Sequence, residues 1–182
     1  MKRVCLFLAA SFLTTACYAD AADQSATLNI TASIGYGATA ACKVEAAMPN
    51  ILLFDILGKQ GENADQGIKT TVLKVVGVRD RADCYEAISS GHIALTLSGM
   101  ADDVEGTVLA NTYPQEDKAQ GVGIGLYQFS TGKPIKINSD YLHFDAPGSL
   151  DATLGLEMVK LKGKIVKSGN VSGSLTVGIQ HL

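Results

Sequence analysis

The sequence predicts an all-β fold, a sandwich of short strands, on three observations. Apolar and polar residues alternate with a period of two in several separate stretches, clusters of Gly, Ser and Pro fall between them, and no stretch sustains a helical period. The chain has 182 residues, of which 47% are hydrophobic and 19 are glycine. That is the length of one domain with enough apolar matter for a core, in a composition better suited to strands and tight turns than to long amphipathic helices.

Each expected element rests on its own pattern. In the run from Ala26 to Ile34, the residues Leu28, Ile30, Ala32 and Ile34 share one face of an extended strand. Gly35 and Gly37 interrupt it, and a second extended piece runs through Ala40-Ala41-Cys42-Lys43-Val44. The apolar run from Ile51 to Leu57 is of strand length, and Gly58 closes it ahead of a polar loop that lasts to Gly67. Thr70 to Val78 is rich in β-branched residues and leads through Arg79-Asp80-Arg81 to Cys84. Ile93, Leu95 and Leu97 alternate within the next strand, and Asp102 to Glu116 reads as a polar loop with a short apolar piece at Val108-Leu109. Val122, Ile124 and Leu126 alternate with Gly123, Gly125 and Tyr127, a glycine spacing that fits close packing against another backbone. Ser130 to Pro134 is a turn, after which Ile135 to Ile137 resumes extended structure. Leu154, Leu156 and Met158 mark a further strand, and Leu175, Val177 and Ile179 another that runs to Leu182.

The N-terminus reads as an export signal. Lys2 and Arg3 precede a compact apolar stretch, Val4 to Leu13, which is too short to span a bilayer as a mature helix. Small residues come next, and they favour cleavage after Ala19, with cleavage after Ala21 as the second choice. A lipoprotein signal acylated on Cys17 is the other reading, against which Thr14 stands where a bulky aliphatic residue is usual. Loss of Lys2 and Arg3 moves the formal charge of −3 two units more negative, so the mature domain is a poor partner for phosphate backbones. Cys42 and Cys84 remain, and two cysteines in an oxidising compartment read as one disulfide.

Catalysis and metal binding find little footing. The sequence has no nucleophile elbow, and His92, His143 and His181 lack the close spacing of a zinc helix. Gly121 to Gly125 is not a phosphate loop, because no Lys-Ser or Lys-Thr pair comes after it. Asp102, Asp103 and Asp145 read as solvated loop charges, and no cofactor or metal is expected.

Taken in order, these features give the chain a resemblance to subunits of chaperone–usher fimbriae, the pilins. The resemblance rests on the signal segment, the alternating extension from Ala26 to Ile34, Cys42 within the first body strand, and Cys84 after the third. It rests also on Gly121 to Tyr127 with the turn Thr131-Gly132-Lys133-Pro134-Ile135, and on the C-terminal alternation with Gly169 fourteen positions from the end. His181 departs from the pattern, since Tyr is usual at that place.

The resemblance implies an incomplete immunoglobulin-like β-sandwich, completed by donor-strand exchange. It divides the chain into a signal peptide (1–19), an N-terminal extension (20–36) and a pilin domain (37–182). Leu28, Ile30, Ala32 and Ile34 would enter a neighbour's groove, and Gly169, Leu175, Val177, Ile179 and His181 would form the C-terminal strand that a chaperone engages. The implied partners are neighbouring subunits, a periplasmic chaperone and an outer-membrane usher, with a host-surface receptor also in view. The implied destination is a fimbria at the cell surface. A structural or minor subunit is the first reading. A single-domain adhesin binding host carbohydrate or protein is the second, since the chain is too short to add a separate lectin domain. An unrelated secreted sandwich or lipoprotein is the third.

Overall fold

Period-two alternation obliges each strand to turn one row of side chains inward, and two sheets meeting over such rows make a core. The computed structural model describes residues 25–32, 34–36, 41–54, 68–77 and 81–182. The signal segment with its cleavage positions, Gly37, the loop from Gly58 to Gly67 and the pair Arg79-Asp80 lie outside the described residues.

The first sheet has five strands in the order β10 (Tyr141–Leu142), β6 (Ile93–Gly99), β12 (Val171–His181), β1 (Ser25–Ala32) and β4 (Asn50–Phe54). The second sheet runs β2 (Ile34–Tyr36), β3 (Ala41–Ala46), β5 (Lys69–Gly77), β11 (Asp151–Lys160), β8 (Val122–Gln128) and β7 (Val108–Ala110), with β9 (Lys133–Pro134) also on β8. β11 lies between β5 and β8, and its Ala152, Leu154, Leu156 and Met158 are all buried. Leu73 and Val75 from β5, Leu95 and Leu97 from β6, and Leu175 and Val177 from β12 join them in one continuous core. The glycines of β8 are there for close approach: a Cβ on Gly123 would run into the Leu109 carbonyl oxygen of β7.

Three differences from the expected elements have physical causes. Arg81–Ser89 is an α-helix, α1, where the sequence suggested only a connection. Cys84 and Ile88 of this helix are buried, and their spacing of four puts them on one face. It closes on Gly91 at φ 75°, with Gly91 N–H donating to the Ile88 carbonyl and His92 N–H to the Ala87 carbonyl, a Schellman ending. Next, Ile135 and Ile137 are buried but form no strand; their N–H groups donate singly to the carbonyls of Leu126 and Gly106. Finally, the alternating run from Ala26 to Ile34 divides between sheets. Ala32 ends β1 opposite Val177, whereas Ile34 begins β2 opposite Lys43. Beyond the change, β3 pairs with β5 of the second sheet, and Cys42 of β3 is bonded to Cys84 of α1, so the chain that follows β1 is held on that sheet.

The loop carboxylates Asp145, exposed, and Asp103, half-buried, are not idle. Asp145 accepts bonds from Thr153 N–H (2.8 Å) and the Thr153 hydroxyl (2.7 Å). Asp103 accepts from the Thr107 hydroxyl (2.8 Å) and Val108 N–H (3.1 Å). Burial pushes the Asp103 carboxyl up, but these bonds together pull harder, so it ionises below the ordinary aspartate value.

The predicted disulfide is present: Cys42 and Cys84 are bonded across a sequence separation of 42, and both are fully buried. In the chain-entropy account a loop of that length contributes roughly 4 kcal/mol by restricting the unfolded chain. Cys42→Ser should therefore lower the melting temperature by roughly 10 °C and reduce periplasmic yield. A thermal scan that superimposes on the wild type would refute the stapling role.

Candidate functional site

The site is a slot in the first sheet between β12 and β4, and β1 fills it. β1 runs parallel to β12, with Leu28 opposite Gly173, Ile30 opposite Leu175 and Ala32 opposite Val177. On its other side it runs antiparallel to β4, with Leu28 opposite Ile51 and Asn29 opposite Asn50. Leu28 is 0% exposed and Ile30 7%, whereas Asn29 and Thr31 face outward. The alternation read from the sequence thus sets the face that β1 turns to the core. A slip of one residue would exchange the two rows and bury Asn29 and Thr31.

The walls of the slot are built to accept a side chain. Gly173 gives room chiefly to Ile124, since a Cβ there would lie 3.0 Å from Ile124 Cδ1, while Leu28 Cδ1 at 3.5 Å would be in ordinary contact. Ile51 and Leu53 line the β4 side, and Leu175 and Val177 the β12 side; all four are buried. With β1 withdrawn, two rows of backbone donors and acceptors and this apolar floor would face water together. Uncovering Leu28 and Ile30 alone costs roughly 1.5–3 kcal/mol each, as an upper estimate. Exposed backbone edges of this kind attract another strand.

The remaining residues singled out in the sequence fall along β12 and just ahead of it. Leu175 and Val177 are fully buried, Ile179 is half-buried opposite Leu95, and His181 is exposed at the end of the strand opposite Ile93. Gly169 precedes β12 rather than belonging to it. The backbone of 117–119 crosses directly over it, and a Cβ on Gly169 would collide with the Asp117 carbonyl oxygen and the Ala119 nitrogen. That crossing is locked by Asn170 N–H donating to the Asp117 carbonyl (2.8 Å) and Ala119 N–H donating to the Asn170 carbonyl (2.9 Å).

Sequence reading missed the residue that completes this lock. Asn111, 5% exposed, donates from its amide nitrogen to the carbonyls of Ala119 and Asn170 and accepts at its oxygen from Tyr113 N–H and Ser172 N–H, each at 3.0 Å. One buried side chain so ties the loop after β7 to the start of β12. Nothing in its position within a polar stretch could have revealed it beyond the residue type. Among the described residues no group of three His, Cys, Asp or Glu could hold a metal ion, and no helix is long and apolar enough to cross a membrane.

These features define a class: an immunoglobulin-like sandwich whose first sheet is closed by a segment lying ahead of the disulfide-bonded body. Comparison with known proteins makes the class specific. The sequence matches the family model described as Fimbrial protein over residues 28–181, and the chain belongs to that family. It is therefore a fimbrial subunit, a structural protein of a surface fibre. Among solved structures it is similar to the crystal structure of the P pilus rod subunit PapA, with a TM-score of 0.50 and 12% identity, over 81% of this chain and 97% of that one. At that identity the likeness speaks for the fold. No curated protein sequence matches the chain.

Gly169→Ala should lower stability to urea by roughly 1–3 kcal/mol, the usual cost of forcing atoms into a filled space. Gly163→Ala serves as the comparison, since a Cβ there meets nothing within 4 Å and only its φ of 74° resists the change. If Gly169→Ala were the milder of the two, the crossing would not be the reason for the glycine.

Proposed function

We propose that this chain is a structural or minor subunit of a fimbria assembled by the chaperone–usher route, and that β1 is its donor strand. In the isolated chain β1 caps its own slot; in the fibre it fills the slot of the next subunit. The observation that carries the reading is that β1, which lies ahead of the disulfide-bonded body, fills an interior slot of the first sheet between β12 and β4 with Leu28 and Ile30 on its floor. Parallel pairing is slightly weaker per residue than antiparallel pairing. A donor arriving from another molecule is free to enter in the antiparallel sense, which the tether to β2 and β3 denies to the chain's own segment. Because β1 is also antiparallel to β4, a reversed donor would gain an antiparallel ladder on β12 and take a parallel one on β4, so the drive for exchange lies in the fit of its side chains to the apolar floor.

Leu28, Ile30, Ala32 and Ile34 are the donor residues of this proposal. Ile34 opens β2 in the isolated chain, so donation asks β2 to leave β3 and join β1 in one longer strand. A periplasmic chaperone would engage the β12 side of the vacated slot, at Leu175, Val177 and Ile179, before an outer-membrane usher hands the slot to the next donor. His181 is exposed at the strand end and available to such a partner. A role in surface adhesion goes with membership of the fibre.

Ile30→Asp would place a carboxylate on the apolar floor, at a cost of several kcal/mol. It should abolish fibres while the subunit still co-purifies with its chaperone. Asn29→Asp, on the outward row, should polymerise normally. The readout is electrophoresis of unboiled samples, where stable multimers form a ladder. A normal ladder from Ile30→Asp would overturn the donor assignment.

A further inference from the structure

We propose that the edge of the first sheet carries a saccharide site centred on Tyr141, which takes a neutral, hydroxyl-rich oligosaccharide. Two cavities meet there. One, of about 530 Å³, is lined by residues that include Gln128, Thr131, Lys133, Asp140, Tyr141 and His143. The other, of about 350 Å³, is lined by Thr96, Ser98, Asn138, Tyr141 and Gln180 among others. Ser139, Asp140 and Tyr141 border both, so the pair forms one two-lobed groove with the tyrosine between the lobes. Each lobe falls within the roughly 300–1,000 Å³ of small-molecule sites.

The groove is held open by bonds that leave its rim groups unused. Gln128, buried, donates from its amide nitrogen to the Ser130 hydroxyl (3.2 Å) and the His143 carbonyl (3.1 Å) and accepts from His143 N–H (2.9 Å). On the other side Asn138 sits at φ 65° and pairs both ends of its amide with the backbone of Gly99, at 3.1 and 2.9 Å. Asp140 accepts from Lys136 N–H through one carboxylate oxygen, at 3.0 Å. Its second oxygen, the Ser139 and Tyr141 hydroxyls, the Lys133 ammonium and the His143 ring have no partner among the described residues. None of these groups serves the slot or the core.

The chemistry of the lining selects the ligand. An apolar molecule would strip water from these polar groups and return no hydrogen bonds. The single Lys133 is balanced by Asp140, which favours a neutral ligand over an anion. A peptide strand would need an edge to pair with, and β10 offers two residues. A sugar ring meets every demand: its C–H face lies against the half-buried Tyr141 ring while its hydroxyls donate to Asp140 and accept from Ser139 and Lys133. Opposite Thr96 on β12 stands Gly178, which raises no side chain beside that lobe.

The test is a glycan array probed with the mature, disulfide-bonded subunit, then saturation-transfer NMR with the neutral di- and trisaccharides that score. Ser139→Trp, at an exposed position, should fill the groove and weaken binding by at least about tenfold. Tyr141→Phe should keep binding within about threefold, and Tyr141→Ala should lose it, because the ring face rather than the hydroxyl carries the stacking. The readout is on the isolated subunit, so it does not depend on whether the subunit polymerises, and Asn29→Asp, on the outward row of β1, should bind as the wild type does. A folded subunit that binds no neutral saccharide, that binds only acidic glycans, or whose binding is unmoved by Ser139→Trp would overturn the proposal.

Discussion

A sheet interior cannot tolerate a missing strand, because every backbone donor and acceptor beside the gap must find a partner away from water. In this protein that demand falls on the space between β12 and β4. β1 meets it with a ladder on each side and with Leu28 and Ile30 on the floor. The rest of the architecture serves this arrangement. The disulfide ties β3 of the second sheet to α1, Asn111 fixes the start of β12, and Gly169 lets the 117–119 segment pass close enough to brace that end. β12 is thereby a firm wall, and β1 is joined covalently to the body through the short segment beyond Ala32.

Alternation told where the core lies more faithfully than it told which strands exist. β5, β6, β8, β11 and β12 were all legible, because each is long enough for a period of two to repeat and each is one-sided in its burial or rich in close-packed glycine. α1 was not, since nine residues with Cys84 and Ile88 turned inward give a helical period barely two turns to declare itself. Its one clear local signal is the Ser90-Gly91 ending. Ile135 and Ile137 alternate and are buried, yet neither belongs to a strand, so the pattern reported burial and not pairing. Ile34 continued the pattern of β1 across a change of sheet that alternation by itself does not mark.

The two candidate sites differ in how far a sequence can reveal them. The slot is written in consecutive residues, Leu28 and Ile30 on one strand, Leu175 and Val177 on another, and so the alternation pointed at it directly. The groove around Tyr141 draws its lining from Thr96 to Gln180, brought together by the antiparallel pairing of β10 with β6 and of β6 with β12. β10 has two residues and therefore no period at all. No local pattern links His143 to Gln128; their contact arises because one amide side chain reaches across to the backbone of the other segment.

The short path from Ala32 to β2 has a consequence for supply and demand between molecules. A strand tethered so closely to its own slot acts at an effective concentration on the order of millimolar, whatever the abundance of the protein. A free competitor could hardly win by numbers in a dilute compartment. Under strand exchange, the incoming segment must succeed through tighter fit or through delivery by a carrier that keeps the slot occupied until hand-over, and dilution alone would leave each subunit harmlessly closed on itself.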